Sequence, residues 1–190
     1  MFVIVLFALA GLDAQVTIEG IVRSVSERPL DQVKIEVLNQ DGQVVASGIS
    51  GPDGLYRIEG LPPATYYLKP SKNNDHLNGV STFDIVEIAR HILGVRTFTD
   101  PVKIVASDIN RTREITTLDL IQLRQIILGI QNDFIDGVSW YFVKERLSPG
   151  TPADVLSSLE ELLFIDAKAE TTRLDLQAIK LGDVNYSATY

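Results

Sequence analysis

Residues 108–119, "DINRTREITTLD", carry an unusual density of oxygen-bearing side chains ahead of an apolar stretch. Counted from Asp108, side-chain oxygens fall at positions 1, 3 and 5 (Asp108, Asn110, Thr112), at 9 (Thr116) and at 12 (Asp119). One Asp or Thr is enough to cap a helix, so the remaining oxygens need another account. A hard divalent cation supplies it. Ca²⁺ takes about six to eight oxygen ligands, and a loop that wraps it presents them at positions 1, 3, 5, 7, 9 and 12. Position 7 is Glu114, which would donate its backbone carbonyl; Ile115 at position 8 is apolar, as a loop anchored to a core requires. Asp119 would both coordinate and cap the helix that follows.

The same pattern occurs upstream at an offset of 35 residues. Thr82 aligns with Thr117, Asp84 with Asp119, Ile92 with Ile127, Leu93 with Leu128 and Gly94 with Gly129. Its candidate ligands are Asn73, Asp75, Ser81 and Asp84 at positions 1, 3, 9 and 12, with the Gly79 carbonyl at 7. Leu77 at position 5 cannot coordinate through its side chain, so this copy is the weaker of two Ca²⁺ sites. Position 6 is Asn78 in one copy and Arg113 in the other, where a glycine would relieve the φ restriction of a sharp turn. With two carboxylates in each set, affinity belongs toward the weak, extracellular end of the Ca²⁺ range.

The elements that must hold these loops are legible from periodicity. "STFDIVEIARHILGV" and "TTLDLIQLRQIILGI" repeat apolar residues at helical spacing, and each helix is followed by glycine (Gly94, Gly129), suited to a C′ position. Upstream, residues 16–70 alternate apolar and polar residues in short runs punctuated by Asp41-Gly42, Pro52-Asp53-Gly54 and Pro62-Pro63. That spacing predicts a small antiparallel β-sandwich. Downstream, residues 138–190 read as a short α/β tail: a strand at "VSWYFV", a helix opening after Pro152 and a strand at "LFIDAKA". Asp183 and Asn185 restate the D-x-N opening with no helix after it. They either fold back as a clasp on one of the loops or end the domain, and the lack of a complete loop favours the second. Residues 1–15 open with "MFVIVLFALA", too short to span a bilayer, and serve either as a signal peptide or as an edge strand.

Two resemblances follow from these stretches. "IEGIVRS" and "LDQVKIEVLNQDGQVVASGISGPDGLYRIEGLPPATYYL" resemble carboxypeptidase-regulatory-like (Cna-B-like) β-sandwich domains, which implies a spacer or binding module. "NNDHLNGVSTFDIVEIARHILG" and "SDINRTREITTLDLIQLRQIILG" together resemble the type I dockerin module, a pair of EF-hand-like calcium loop–helix repeats, as in secreted proteins of the Bacteroidetes. The expected organisation is a sandwich at 16–70 and a dockerin-like domain at 71–190, with repeats at 73–94 and 108–129 and the tail at 138–190. The dockerin resemblance also implies a cohesin-like partner gripped by Thr82, Phe83, Ala89 and Arg90 and by Thr117, Leu118, Arg124 and Gln125. Docking of the repeats on the chain's own sandwich is the alternative.

Composition narrows the function. A net charge of −8 argues against nucleic acid and anionic membrane surfaces as partners. The absence of cysteine excludes disulfides, zinc thiolates and thiol nucleophiles. His76 and His91 are the only histidines, and neither H-E-x-x-H nor G-x-S-x-G occurs. No enzyme is expected, and no membrane-spanning segment. The reading is a non-catalytic, secreted or cell-surface calcium module for attachment or assembly, within a polysaccharide-degrading or surface system. Its competitor is a fragment of a larger secreted enzyme or adhesin in which these modules are spacers that bind no metal.

Overall fold

Strand β1 (Val16–Ser24) buries every second residue, from Val16 through Ile18 and Val22, and becomes the spine of the molecule. The computed structural model describes residues 14–144 and 146–189; the signal-peptide or edge-strand reading of 1–15 lies almost wholly outside them. β2 (Lys34–Leu38), β3 (Val44–Ile49), β4 (Leu55–Leu61) and β5 (Ala64–Ser71) follow as short antiparallel strands. The Asp41-Gly42 turn joins β2 to β3, with Gly42 at φ 76°, the conformation that Asp-Gly favours.

The chain then leaves the sheets for helices and returns to them. α1 (Thr82–Ile92), α2 (Pro101–Ser107) and α3 (Thr117–Ile127) precede β6 (Trp140–Val143). α4 (Pro152–Ser157) precedes β7 (Leu163–Ala167), β8 (Thr171–Arg173) and β9 (Leu176–Lys180). One sheet runs β4-β1-β9-β6 with β8 also on β1, and the other runs β3-β2-β5-β7.

This architecture corrects the expected division at residue 70. The tail is not an appendage of the helical part: β6, β7, β8 and β9 all hydrogen-bond into sheets that residues 16–71 begin. The sandwich is not purely antiparallel either, because β8 and β9 run parallel to β1. Between those two pairings, the Asp175 carboxylate takes the Ile21 amide at 3.1 Å, so the ladder leaves no orphaned donor there. "TTRLDLQAIK" supplies β8 and β9. The parallel pairing needs a long crossover, and the helical insertion supplies it.

Two cores result. Trp140, Phe142, Leu163, Ile165, Leu176 and Ala178 from the returning strands fill the sandwich beside Ile18, Ile35 and Leu68. Tyr141, Val143 and Ile179 point the other way, into a second core with Ile88, Ile104, Leu123 and Ile126. The helical layer is thus packed on the outer face of β6 and β9. Within it, the repeat is visible in the packing: Ile88 and Leu123, at the 35-residue offset, are both fully buried. Each helix ends in the expected glycine, Gly94 at φ 68° and Gly129 at φ 66°. The Val95 amide reaches back to the Arg90 carbonyl and that of Ile130 to Gln125, the Schellman closure in both copies.

Candidate cation-binding loops

The loop before α3 folds around two buried carboxylates. Asp108 is 4% exposed and Asp119 is fully buried. Asp108 Oδ1 accepts from the Thr112 amide at 3.0 Å and Oδ2 from the Arg113 amide at 2.9 Å. Asp119 Oδ1 accepts from the Asn110 amide at 3.1 Å, and Oδ2 from the Thr116 amide at 2.8 Å. Thr116 is the N-cap and Asp119 the third helical residue, so the two make a capping box. Asn110 Oδ1 accepts from the amide and hydroxyl of Thr112. Glu114 exposes its side chain, as suits a position offering only a carbonyl. Arg113, where a glycine would be easiest, adopts φ 68°, and Arg111 adopts φ 58°. A non-glycine residue in that region costs about 1–2 kcal/mol, and the Arg113 amide bond to Asp108 helps hold the turn.

The α1 copy is assembled differently from the expected set. Asp84 is fully buried and forms the matching capping box with Ser81, its Oδ2 accepting from the Ser81 amide at 2.9 Å. Its other oxygen accepts from the amide of Val184, 100 residues away, at 3.0 Å. Asn73 turns elsewhere, donating from Nδ2 to Asp133 at 2.5 Å. Asp75 lies within electrostatic reach of Lys180. What stands against Gly79, Ser81 and Asp84 is residues 183–189. Ser187 donates its hydroxyl to the Gly79 carbonyl at 2.9 Å, and the Thr189 amide donates to Asn78 Oδ1 at 3.0 Å. The favoured reading of Asp183 and Asn185 as a mere chain end is therefore corrected: the segment folds back as a clasp on α1. Its signal in the sequence was D-x-N-x-S at 183–187, which repeats D-x-N-x-T at 108–112.

Electrostatics single out both places. Burial pushes the Asp84 carboxyl up; hydrogen bonds from Ser81 and Val184 pull it back, and the charge on Asp183 adds to the rise. Burial likewise pushes Asp108 up, against hydrogen bonds from Arg113, with Asp119 as the neighbouring charge. Among the described ion pairs none involves Asp84, Asp183, Asp108 or Asp119. Each place thus holds two buried carboxylates with no basic side chain in contact, and among the described residues no three acidic, histidine or cysteine side chains converge. Any cation would draw its remaining ligands from amide, hydroxyl and backbone oxygens.

The histidines take packing roles. His91 Nδ1 accepts from the Phe98 amide at 2.9 Å while the two rings stack 4.8 Å apart. Burial pushes His91 down, toward the neutral form that this acceptor role requires. His76 contributes its carbonyl to the buried Lys180 ammonium.

Comparison with known proteins bears on the sandwich. The carboxypeptidase regulatory-like domain matches residues 17–85, a little over a third of the chain. Colossin-A of Dictyostelium discoideum is 36% identical over 53 residues; these are 28% of this chain and, to the nearest per cent, 0% of that protein's length. BcpA, the major pilin subunit of Bacillus cereus, aligns with 88% of this chain and 30% of its own at 10% identity and a TM-score of 0.41. The Bacillus anthracis TIE protein aligns with 31% of this chain and 12% of its own at 20% identity and a TM-score of 0.29. The chain spans less than a third of any of these proteins. Among the described residues no helix is long and apolar enough to cross a membrane. The first five strands of the sandwich thus lie in a stretch similar to the carboxypeptidase regulatory-like domain.

Proposed function

We propose that this chain is a non-catalytic, calcium-binding attachment module of a secreted or bacterial cell-surface protein, its dockerin-like loop–helix repeats carried on the sandwich. The observation that carries the reading is the pairing of buried carboxylates, Asp108 with Asp119 above all, without a basic partner. Two like charges in a dry site destabilise the fold unless a cation or protons neutralise them. Ca²⁺ suits this set because every other candidate donor is an oxygen.

The attachment part rests on the helices' outer faces. Phe83 and Leu118 are 55% and 59% exposed, Val86 and Ile121 46% and 51%, and each pair is related by the repeat offset. Thr82, Arg90, Thr117 and Arg124 flank them at the surface, with Ala89 and Gln125 half-buried. A partner of the cohesin kind would meet this duplicated apolar face.

A second reading has its own support. Asp108 and Asp119 already accept backbone amides on both oxygens, so the loop closes by itself and could serve in a metal-free spacer of a larger enzyme or adhesin. Melting temperature in excess EGTA and in 10 mM Ca²⁺ separates the two. With Kd at the weak end of the range, about 10⁻⁴–10⁻³ M, each site adds about 1.4–2.7 kcal/mol. For a chain of this size that is a rise on the order of 5 °C. An unchanged melting temperature leaves the spacer.

A further inference from the structure

The clasp at 183–189 and the α3 loop share more than a sequence echo. Asp183 Oδ1 accepts from the Ser187 amide, four residues on, at 3.0 Å, and Oδ2 from the Ala188 amide, five residues on, at 2.9 Å. Asp108 does the same with Thr112 and Arg113. Tyr186 stands at φ 62°, and Arg111, its counterpart at an offset of 75 residues, at φ 58°. Val184 gives its amide to Asp84 Oδ1 at 3.0 Å, one position earlier in the loop than the Asn110 amide that reaches Asp119 Oδ1 at 3.1 Å. Asp183 and Asp108 are 3% and 4% exposed, and Asp84 and Asp119 are both fully buried. In the α3 copy one continuous segment supplies both halves. In the α1 copy the first half comes from the C-terminal end of the described chain and the second from residues 79–84.

One atom differs, and it points to a ligand. Asn110 Oδ1 is engaged by Thr112, whereas Asn185 Oδ1 is buried and has no hydrogen-bond partner among the described residues; Asn73 Oδ1 is orphaned too, but its Nδ2 is tied to Asp133. A buried carboxamide oxygen left unpaired is destabilising unless a donor or a cation meets its lone pairs. Asp183, two residues before it, and Asp84, which feels the Asp183 charge, are in no ion pair among the described residues, and the Lys180 ammonium acts on Asp183 only from beyond salt-bridge distance. The hydroxyl of Ser187 and the carbonyl of Gly79, positions 5 and 7 in the loop scheme, are already 2.9 Å apart.

We infer that the α1 site is a split Ca²⁺ site whose first three ligands are Asp183, Asn185 and Ser187, completed by the Gly79 carbonyl, Ser81 and Asp84; Asn73 and Asp75 take no part. The inference rests on the calcium reading above and changes which residues make the first site. It also gives that site a property the α3 loop lacks. Because its halves are about a hundred residues apart in sequence, binding there fastens the C-terminal clasp to α1.

Amide NMR of the full chain during Ca²⁺ titration reads the two sites separately. Val184, Ser187 and Ala188 report the split site, and Asn110, Thr112 and Arg113 the α3 loop. In the wild type both groups shift, and calorimetry gives two ions per chain. Asn185→Ala, which leaves the Asp183 and Asp84 hydrogen bonds in place, abolishes or weakens at least tenfold the response at 184–188 and spares that at 110–113. Asp183→Asn does the same, and Asn73→Ala with Asp75→Ala changes neither. Shifts at 110–113 alone in the wild type would overturn the split site and keep the calcium reading. So would loss of the first site in the Asn73/Asp75 double variant with retention in Asn185→Ala. No response at either group would overturn both.

Discussion

Gly79 and Gly94 form a matched pair for measuring what the clasp contributes without any cation. Both have left-handed backbones, φ 77° and 68°. A Cβ on Gly94 meets nothing within 4 Å, whereas one on Gly79 falls 2.5 Å from the Ala188 nitrogen, 2.6 Å from Asp183 Oδ2 and 2.7 Å from the Ala188 Cα. Gly94→Ala therefore incurs only the left-handed strain, about 1–2 kcal/mol, reduced by about 0.4–1 kcal/mol because alanine restricts the unfolded chain. The net loss is about 1 kcal/mol.

Gly79→Ala carries the same strain and must also push the clasp away, because two of the three close contacts are backbone atoms. Moving it breaks the Val184 amide bond to the Asp84 carboxylate and the Ser187–Gly79 bond. It also opens the bonds between Asn78 and Thr189 and exposes Val184, which is fully buried. A hydrogen bond to a charged acceptor contributes about 1.5–3 kcal/mol and a neutral one about 1 kcal/mol, and burying a valine about 1.5–3 kcal/mol. Partial release therefore costs at least about 3 kcal/mol beyond Gly94→Ala. The assay is urea denaturation of both variants in EGTA, with hydrogen exchange at Val184, Ser187 and Ala188. Stabilities within about 0.5 kcal/mol of each other, or undiminished protection of those three amides in Gly79→Ala, would refute the clasp.

Two further outcomes follow from the packing. Lys180 is 3% exposed, its ammonium held by the carbonyls of His76 and Ser139 and set over the Phe134 and Trp140 rings; burial pushes it down to about 7, with Asp183, Asp75 and Asp133 opposing. Between that value and the unfolded lysine's, near 10.4, the unfolded state holds the proton that the fold has lost. Stability from this group therefore rises with pH, by about 1.4 kcal/mol per unit, and is flat below 7 where the whole penalty is present. Lys180→Met removes the rise, so wild type gains on the variant by about that slope between pH 7.5 and 9.5 in EGTA; parallel curves would refute the burial account. A fragment of residues 14–75 lacks Trp140, Phe142, Leu163, Ile165, Leu176 and Ala178 from the sandwich core, and is expected to show no cooperative melting by circular dichroism. A cooperative transition would mean that the first five strands suffice.

What the sequence made legible was local. The alternation in β1, the Asp-Gly turn and the glycine closures at Gly94 and Gly129 each depend on residues within a few positions of one another. Those expectations match the structure. The sheet order was not legible. Parallel pairing of β1 with β9 joins residues about 150 apart, and nothing in "LQAIK" distinguishes a strand beside β1 from one beside any other. The segment that packs against Asp84 was not legible for the same reason. Asn73 and Asp75 sit at the right sequence distance from Asp84, but the partner that reaches Asp84 approaches through space. An offset of 75 residues between two D-x-N motifs was readable; that the second would fold against the start of α1 was not.

The displaced half is held in place by the sandwich. Closing a loop of about a hundred residues to bring Asp183 onto Asp84 would be entropically unfavourable for an isolated helical unit. Here the closure is already made by β9, which pairs with β1 and β6 and ends at Lys180, three residues before Asp183. Gly182, at φ 84°, turns the chain out of the sheet, with its amide on the Ala106 carbonyl at 2.8 Å. β5 likewise ends at Ser71, a short distance before α1. Both sides of the clasp therefore hang from sheet strands, and only short segments on each side must order when it closes. The α3 loop has no such anchor and relies on its own capping box and buried carboxylates. The clasp and the α3 loop share one local geometry but differ in what organises it: the sandwich for the clasp, the loop itself for the other.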